Sequence, residues 1–284
     1  MGLSEAVTSR PRGVMQRYVS DYVGYRERDV EPGQHLGMPS PYLTVIFTLD
    51  DPVAIARQVD PRQGPGRYSA IVAGLHTSPA LIVHNGAQSG IQLQLSPLAA
   101  RPLAGMPAGE LASLSLRAQD ILGPLATQVC ERVRAAESWS ARFAVLDRLI
   151  GSAVDVDQAV PDEVARAWEV LLRSGGTVPV REVAREVGWS ERHLRTRFAQ
   201  EVGLRPKDAA RVIRFDRARR ILERNVRVGP PDIAGVAAEC GYFDQSHLLR
   251  DWQQFTGLAP IDWIAHEFRN FLVPDALHPA SWRT

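Results

Sequence analysis

Apolar and polar positions follow the same order in two stretches of the C-terminal half of the chain. The first runs from 180 to 206 and the second from 233 to 260, with one extra residue after the central glycine of the second. The matched pairs are Val183 and Val236, Ala184 and Ala237, Gly188 and Gly241, Ser190 and Asp244, His193 and His247, Leu194 and Leu248, Phe198 and Trp252, Gly203 and Gly257, and Pro206 and Pro260. Because a repeat of this length is far more specific than one short motif, both stretches are predicted to fold alike.

Each stretch predicts two short helices joined by a tight turn. In the first stretch, Gly188 is the residue type that commonly follows the end of a helix, and Ser190 is a favourable N-cap for the next one. Two helices joined by a short turn that contains glycine form a helix-turn-helix unit, whose second helix enters the major groove of DNA. The sequence therefore predicts two such units, at about 180–203 and 232–257.

Polar side chains near the start of each second helix are the candidate DNA-binding residues. Arginine suits guanine, glutamine suits adenine, and leucine can contact a thymine methyl group. The alternative is that each second helix simply has an ordinary exposed, charged face. The presence of two aligned copies argues against this alternative. The candidates are Ser190, Glu191, Arg192, Arg195 and Thr196 in the first unit, and Asp244, Gln245, Ser246, Leu249 and Arg250 in the second.

One long helix is predicted between the two units, from about 208 to 225. A helix of that length spans about 27 Å, which can hold two second helices roughly one DNA turn apart. From 181 to 227 the chain has 14 Lys or Arg and 7 Asp or Glu, a local net charge of +7. Such a concentration is typical of a phosphate-binding surface. The candidate phosphate contacts are Arg197, Arg211, Arg214, Arg217 and Arg220.

The two units differ in charge. The first unit and the connecting helix hold most of the arginines, whereas the second unit has only Arg250 and is more aromatic. We therefore expect the first unit to contribute more of the affinity and of the salt dependence of DNA binding. The second unit should supply a narrower set of contacts.

The region from about 161 to 270 resembles the DNA-binding domain of the AraC/XylS family of bacterial transcription regulators. The residues that carry the resemblance are Ala184, Gly188, Ser190, Leu194, Phe198, Gly203 and Pro206 in the first unit, Arg214, Ala218 and Leu222 in the connecting helix, and Ile233, Ala234, Gly241, Tyr242, Asp244, Gln245, Ser246, His247, Leu248, Gly257 and Pro260 in the second. Gly235 inside a helix and Trp252 in place of the usual phenylalanine are departures. The resemblance implies a sequence-specific, cytoplasmic regulator that binds double-stranded operator DNA, forms a homodimer, contacts RNA polymerase and responds to a small-molecule effector.

The N-terminal part, 1–105, is predicted to be rich in strands. Segments 42–49, 68–73, 80–84 and 91–95 combine β-branched and aromatic residues or alternate apolar and polar residues, and 85–90 is predicted to be a loop. Residues 1–40 carry few periodic signals beyond a short strand or arm near 19–23. Several short strands suggest a small barrel or sandwich. The resemblance implies a cupin-like, effector-binding barrel, so the predicted fold class is α+β in two domains.

Helices are predicted after a Pro/Gly/Ala-rich connection at 97–107. Their apolar positions indicate a hairpin over 106–150, which in the family commonly packs two subunits together. The alternative is that both helices pack on their own barrel. A linker at 151–160 follows, then a helix that opens at Pro161, and the tail 271–284 is predicted to be poorly ordered.

Composition fits a globular chain with two domains. The 284 residues carry a net charge of only +1 and 45% hydrophobic side chains. Cys130 and Cys240 lie at apolar helix positions and are predicted to be buried thiols rather than a disulfide. The chain shows no signal-peptide pattern and no membrane-length apolar run, which favours a cytoplasmic protein without a membrane partner.

Three histidines in the N-terminal part, His35, His76 and His84, raise the question of a metal site. They lack a close His-x-His pair and a nearby glutamate, so no metal and no cofactor are predicted. The sequence also lacks a nucleophile–base pair and a phosphate-binding glycine loop, so it favours a non-enzyme. Two alternatives stay open: a cupin-like metal enzyme fused to a DNA-binding domain, and a regulator that binds DNA without any ligand.

Overall fold

The computed structural model describes residues 3–226 and 230–270, with side chains as far as 266. The predicted tail at 271–284 lies outside the described residues. A sheet domain forms the N-terminal half, a helical domain forms the C-terminal half, and the predicted α+β fold class is confirmed.

Ten strands form two antiparallel sheets in the described part of the N-terminal half. The larger sheet has the order β1-β2-β9-β4-β7-β10, and the smaller has the order β3-β8-β5-β6. The bounds are β1 Leu3–Ser9, β2 Val19–Arg28, β3 Gly33–Gly37, β4 Leu43–Thr48, β5 Val53–Arg57, β6 Gly66–Tyr68, β7 Ala70–Ala73, β8 Ala80–His84, β9 Gln88–Leu95 and β10 Ser115–Arg117.

The alternation of side chains along the larger sheet gives it two different faces. In β9, the buried Ile91 and Leu93 belong to the main core, whereas Gln92 and Gln94 point toward the smaller sheet. In β4, Phe47 belongs to the main core and Ile46 to a separate cluster between the sheets. The larger sheet is therefore packed on both faces, with helices on one side and the smaller sheet on the other.

Four α-helices complete the described part of the N-terminal half: α1 Ala100–Ala104, α2 Ala118–Leu122, α3 Pro124–Ala135 and α4 Trp139–Ser152. Helices α3 and α4 form the predicted hairpin, and their apolar side chains, such as Val129 and Leu146, are fully buried in the main core. The ring of Phe143 stacks on Tyr22 of the larger sheet at 5.8 Å. This packing matches the alternative in which the hairpin covers its own sheet, and homodimer formation stays a prediction.

Several N-terminal boundaries differ from the sequence prediction. The connection at 97–107 contains a 3-10 helix at 97–99 and α1 rather than only loop. The α-helices expected after the 97–107 connection begin only at 118, because 115–117 pairs with β7 as an edge strand. The loop expected at 85–90 ends early, since 88–90 pairs with β2.

Seven helices form the C-terminal half over the described residues: α5 Asp162–Arg173, α6 Val180–Glu186, α7 Glu191–Val202, α8 Pro206–Val226, α9 Ile233–Glu239, α10 Gln245–Thr256 and α11 Pro260–Asn270. Pro161 is the N-cap of α5 rather than its first residue. The connecting helix α8 has 21 residues and so spans about 30 Å. Cys130 and Cys240 are free and buried, as predicted, and burial raises the pKa of the Cys240 thiol to about 11.

The two halves meet at the end of α7. Arg101 of α1 donates two hydrogen bonds to the carboxylate of Glu201, at 2.6 and 2.9 Å, and Glu201 is fully buried. The 3-10 helix at 108–111 packs beside this pair. A Cβ atom on Gly109 would lie 2.2 Å from the carbonyl oxygen of Gln200, so only glycine allows this approach. The orientation of α7 therefore depends on the N-terminal half as well as on its own domain.

Candidate functional site

The two predicted helix-turn-helix units have matching turns. The amide of Trp189 donates to the carbonyl of Ala184 at 2.9 Å, and the amide of Tyr242 donates to that of Ala237 at 3.0 Å. The preceding glycines of both turns have φ angles of +70° and +71°, a conformation that favours glycine. The sequence repeat is thus also a repeat of backbone geometry.

The second helix of each unit starts at the predicted cap. The Ser190 hydroxyl accepts a hydrogen bond from the His193 amide at 3.2 Å, and the Asp244 carboxylate accepts one from the His247 amide at 2.7 Å. These oxygens satisfy helix amides that lack a partner within the helix. Both residues were also predicted to bind DNA; their capping role is structural, and contact with DNA stays a prediction.

In the first unit, the candidate DNA-binding residues of α7 are exposed. Glu191, Arg192, Arg195 and Thr196 are all exposed. Among the described residues, neither Arg192 nor Arg195 has an ion-pair partner. The Thr196 hydroxyl donates to the Arg192 carbonyl at 3.2 Å, which leaves its oxygen available as an acceptor. The two guanidinium groups are therefore free to bind an acceptor outside the chain.

In the second unit, the candidate DNA-binding residues differ from one another in exposure. Gln245, Ser246 and Arg250 are exposed on α10, and the Arg250 guanidinium donates to the Ser246 carbonyl at 3.3 Å. Leu249 is half-buried and packs against the main core. Leu249 was predicted to contact DNA; its side chain is partly exposed as well as packed, and contact with DNA stays a prediction.

A cavity of about 580 Å³ lies between the two sheets. Isoleucines from both sheets, including Ile46, Ile71 and Ile82, form its apolar wall. Three glutamines of β9 add polar groups, and α8 and α11 of the C-terminal half close one side. The glutamines and the closing residues are Gln88, Gln92, Gln94, Arg219, Arg220, Glu223 and Trp263.

One cavity glutamine touches the connecting helix. The side-chain oxygen of Gln94 accepts hydrogen bonds from the Ser20 hydroxyl at 3.1 Å and from the Arg220 guanidinium at 3.4 Å. A molecule in the cavity that displaced or reoriented Gln94 would therefore change a contact to α8. The cavity thus adjoins the element that joins the two units.

The three histidines considered for a metal all line this cavity. The rings of His35 and His84 are 6.4 Å apart, and the Nδ1 of His76 donates to the Ser78 carbonyl at 2.7 Å. Burial lowers the pKa of His35 to about 4, with smaller contributions from the nearby His84 and His266, and burial also lowers the pKa of His76 to about 4. His35 and His76 are therefore neutral near pH 7. Among the described residues, no group of three or more His, Cys, Asp or Glu side chains is arranged to hold a metal ion.

A family model described as a helix-turn-helix domain matches residues 166–266, which contain both units and the connecting helix. This region is an AraC-type helix-turn-helix domain.

Curated relatives match the AraC-type domain. The uncharacterised HTH-type transcriptional regulator YbfI of Bacillus subtilis is 33% identical over 110 residues, which is 37% of this chain and 38% of the relative. The HTH-type transcriptional regulator Rv1931c of Mycobacterium tuberculosis is 29% identical over 114 residues, which is 40% of this chain and 42% of the relative. The matched part thus spans about two fifths of each relative.

Solved structures resemble the chain at low sequence identity. ToxT of Vibrio cholerae, bound to (E)-4-(8-methylnaphthalen-1-yl)but-3-enoic acid, has a TM-score of 0.49 and 11% identity over 93% of this chain and 98% of that one. A transcriptional regulator of Chromobacterium violaceum with an AraC-type domain has a TM-score of 0.32 and 21% identity over 37% of this chain and 90% of that one.

Two of the predicted phosphate contacts in the AraC-type domain form internal ion pairs. Arg211 donates to the buried carboxylate of Asp251 at 2.7 Å and lies over the ring of Phe255 at 5.0 Å. Arg220 donates to the buried Asp216 at 2.8 Å. The first contact joins α8 to α10, and the second stabilises the side of α8 at the cavity. Contact of either arginine with a phosphate stays a prediction.

The other three predicted phosphate contacts have different surroundings, from the half-buried Arg214 to the exposed Arg217. Arg197 bonds Gln200 at 3.0 Å, Arg214 lies over the Tyr242 ring at 5.4 Å, and the side chain of Arg217 is 45% exposed. The structure also exposes Arg205 and Lys207 at the start of α8, which the sequence prediction did not single out. Their position directly after α7 could have identified them as candidate phosphate contacts.

No helix among the described residues has the length and hydropathy needed to cross a lipid bilayer.

Proposed function

We propose that this chain is a sequence-specific DNA-binding regulator of transcription, with α7 and α10 entering adjacent segments of the major groove. The pair of units with matching turns, each with exposed polar side chains at the start of its second helix, carries this proposal. Contacts to phosphates would set the affinity, and contacts to base edges would set the sequence preference.

Fluorescence anisotropy with a selected duplex and with random duplexes tests the proposal. Equal affinity for both kinds of duplex at about 150 mM salt contradicts it, since specific binding exceeds non-specific binding by orders of magnitude.

Arg192→Ala and Arg195→Ala are each expected to weaken binding of the preferred duplex by about 1–3 kcal/mol and to relax the preference at one base pair. The reason is that both guanidinium groups are exposed and lack an internal ion-pair partner among the described residues. Binding titrations against duplexes with single base-pair changes measure the effect.

Arg211→Ala is the matched control, because its guanidinium is held by Asp251. This variant should lower the free energy of unfolding and leave the base preference unchanged. A uniform loss over all duplexes for Arg192→Ala or Arg195→Ala would instead assign that arginine to a phosphate. A larger loss of affinity for Arg250→Ala than for Arg195→Ala would contradict the expectation that the first unit contributes more.

We further propose that the cavity binds a small, largely apolar effector that controls DNA binding. The cavity size and its isoleucine walls, with polar groups that could orient a ligand, support this, because such pockets are typical ligand sites. Since α8 and α11 form part of the wall, a bound effector would contact both halves of the chain. Effector and DNA should then change each other's affinity by the same factor.

Ile82→Trp is expected to abolish stabilisation by the effector while leaving DNA affinity in its absence within about twofold, because the larger ring fills the cavity from β8 of the smaller sheet, outside the DNA-binding helices. A thermal-shift screen of small metabolites on the wild type and the variant measures this. A ligand that stabilises both proteins equally would place the effector elsewhere. If no ligand stabilises the wild type, the alternative of a ligand-independent regulator is favoured.

A homodimer, a contact with RNA polymerase and a cytoplasmic location also belong to the proposal. The absence of enzymatic activity is likewise proposed, and metal analysis of the purified protein tests the alternative of a cupin-like metal enzyme. Light scattering of the full chain tests the dimer. Because most apolar residues of the hairpin are buried against their own sheet, a dimer formed through the hairpin would use the exposed outer face of α3 and α4.

A further inference from the structure

Comparison of the two units shows which residue is the extra one in the second turn. One residue, Trp189, stands between Gly188 and the cap of α7, whereas Tyr242 and Phe243 precede the cap of α10. The Trp189 ring meets the His193 ring edge-on at 4.5 Å. The Tyr242 ring meets the His247 ring in the same way at 5.1 Å. Tyr242 therefore takes the place of Trp189, and Phe243 is the inserted residue.

Phe243 is 93% exposed. Among the side chains that the structure describes, the other exposed large apolar residues are Leu3, Val156 and Ile261, at 53, 57 and 63%. An isolated apolar side chain on a surface is common and needs no explanation. This one is unusual because it stands in the tight turn directly before the cap of α10, where the backbone holds it outward.

We propose that Phe243 reads a thymine methyl group beside the base pairs that α10 contacts. The inference rests on the proposed function, since it requires the start of α10 to enter the major groove, where early residues of such a helix face base edges. Phenylalanine offers no hydrogen bond, and the apolar feature that the major groove presents is the methyl group of thymine. Removal of the ring and the methyl group from water is favourable. Phe243 gives the second unit, which has a single arginine, a source of specificity that does not depend on charge.

The test uses the full chain and its preferred duplex, selected by the wild type from a random pool. Each thymine in the segment protected by α10 is replaced in turn by deoxyuridine, which removes only the methyl group. One such replacement is expected to weaken wild-type binding about fourfold, the factor that corresponds to burial of a methyl-sized group. The same replacement should leave the affinity of Phe243→Ser unchanged, and Phe243→Leu should keep most of the wild-type preference for thymine.

Val156→Ser is the matched control, because it removes an exposed apolar side chain from the segment between the two halves. It should respond to deoxyuridine as the wild type does. Phe243→Ser could weaken binding equally on thymine and deoxyuridine duplexes, which would overturn the proposal in favour of a backbone contact. Unchanged DNA binding with loss of reporter transcription would overturn it in favour of a protein partner. If the wild type selects no preferred duplex at all, the proposed function itself fails.

Discussion

An Arg101→Ala variant is expected to lose about 3 kcal/mol of unfolding free energy, because it leaves the carboxylate of Glu201 buried without its cation. Arg101 itself is one quarter exposed, so water can partly replace it, which places the expected loss at the lower end of the range for broken buried pairs. The lost contact also joins the N-terminal half to the end of α7. DNA affinity should therefore fall as well, even though Arg101 is remote from the exposed face of α7. Urea unfolding and anisotropy titrations on the same variant measure both effects.

The exposed ion pair between Arg117 and Asp120 provides the control. Both side chains are largely exposed, so Arg117→Ala should cost less than about 1 kcal/mol. A double-mutant cycle of Arg101→Ala with Glu201→Ala isolates the interaction, because the second change removes the buried charge. If Arg101→Ala proves no more costly than Arg117→Ala, the contact at the end of α7 does not hold the halves together.

A Trp252→Ala variant is expected to lose about 3–5 kcal/mol of unfolding free energy, as large aromatic residues in cores do. Trp252 is fully buried, and its ring contacts those of Phe215 at 5.1 Å and Trp263 at 5.3 Å. These three rings join α10 to α8 and α11. The cavity left by alanine should loosen α10 and shorten the protected DNA segment at the second unit, which DNase footprinting measures.

Trp252→Phe separates ring packing from ring size. Phenylalanine keeps an aromatic ring against Phe215 and leaves a smaller cavity, so it should cost less than about 2 kcal/mol, in line with smaller core truncations. Its footprint should match that of the wild type. Loss of protection at the first unit rather than the second, in the alanine variant, would contradict the role of Trp252 in holding α10.

Much of the C-terminal half could be predicted because several local signals agreed there. Gly188 ends one helix, Ser190 starts the next, and the apolar spacing continues through α7. The ion pair of Arg211 could not be predicted in this way. Arg211 binds a carboxylate forty positions away along the chain, and only the packing of α8 on α10 brings the two together.

The N-terminal half was predicted less completely. The apolar strands β4 and β8 were found at nearly their true bounds, because their residues are apolar enough to stand out. The edge strands β1 and β10 were missed, since one is mostly half-exposed and the other has only three residues. The alternation in β9 indicated that Gln92 and Gln94 share a face. It could not tell that this face borders a cavity, because the opposite wall comes from strands and helices far away in sequence.

The contact of α1 and the 108–111 turn with the end of α7 has a consequence for chimeric regulators. The obvious place to exchange sensing and DNA-binding parts is the segment at 153–160, where the chain passes from one half to the other. A chimera joined there would bring α7 without Arg101 and Gly109, and would leave Glu201 facing an unmatched surface. A functional graft should keep residues 97–112 matched to α7, so the unit of exchange is set by this contact rather than by the linker.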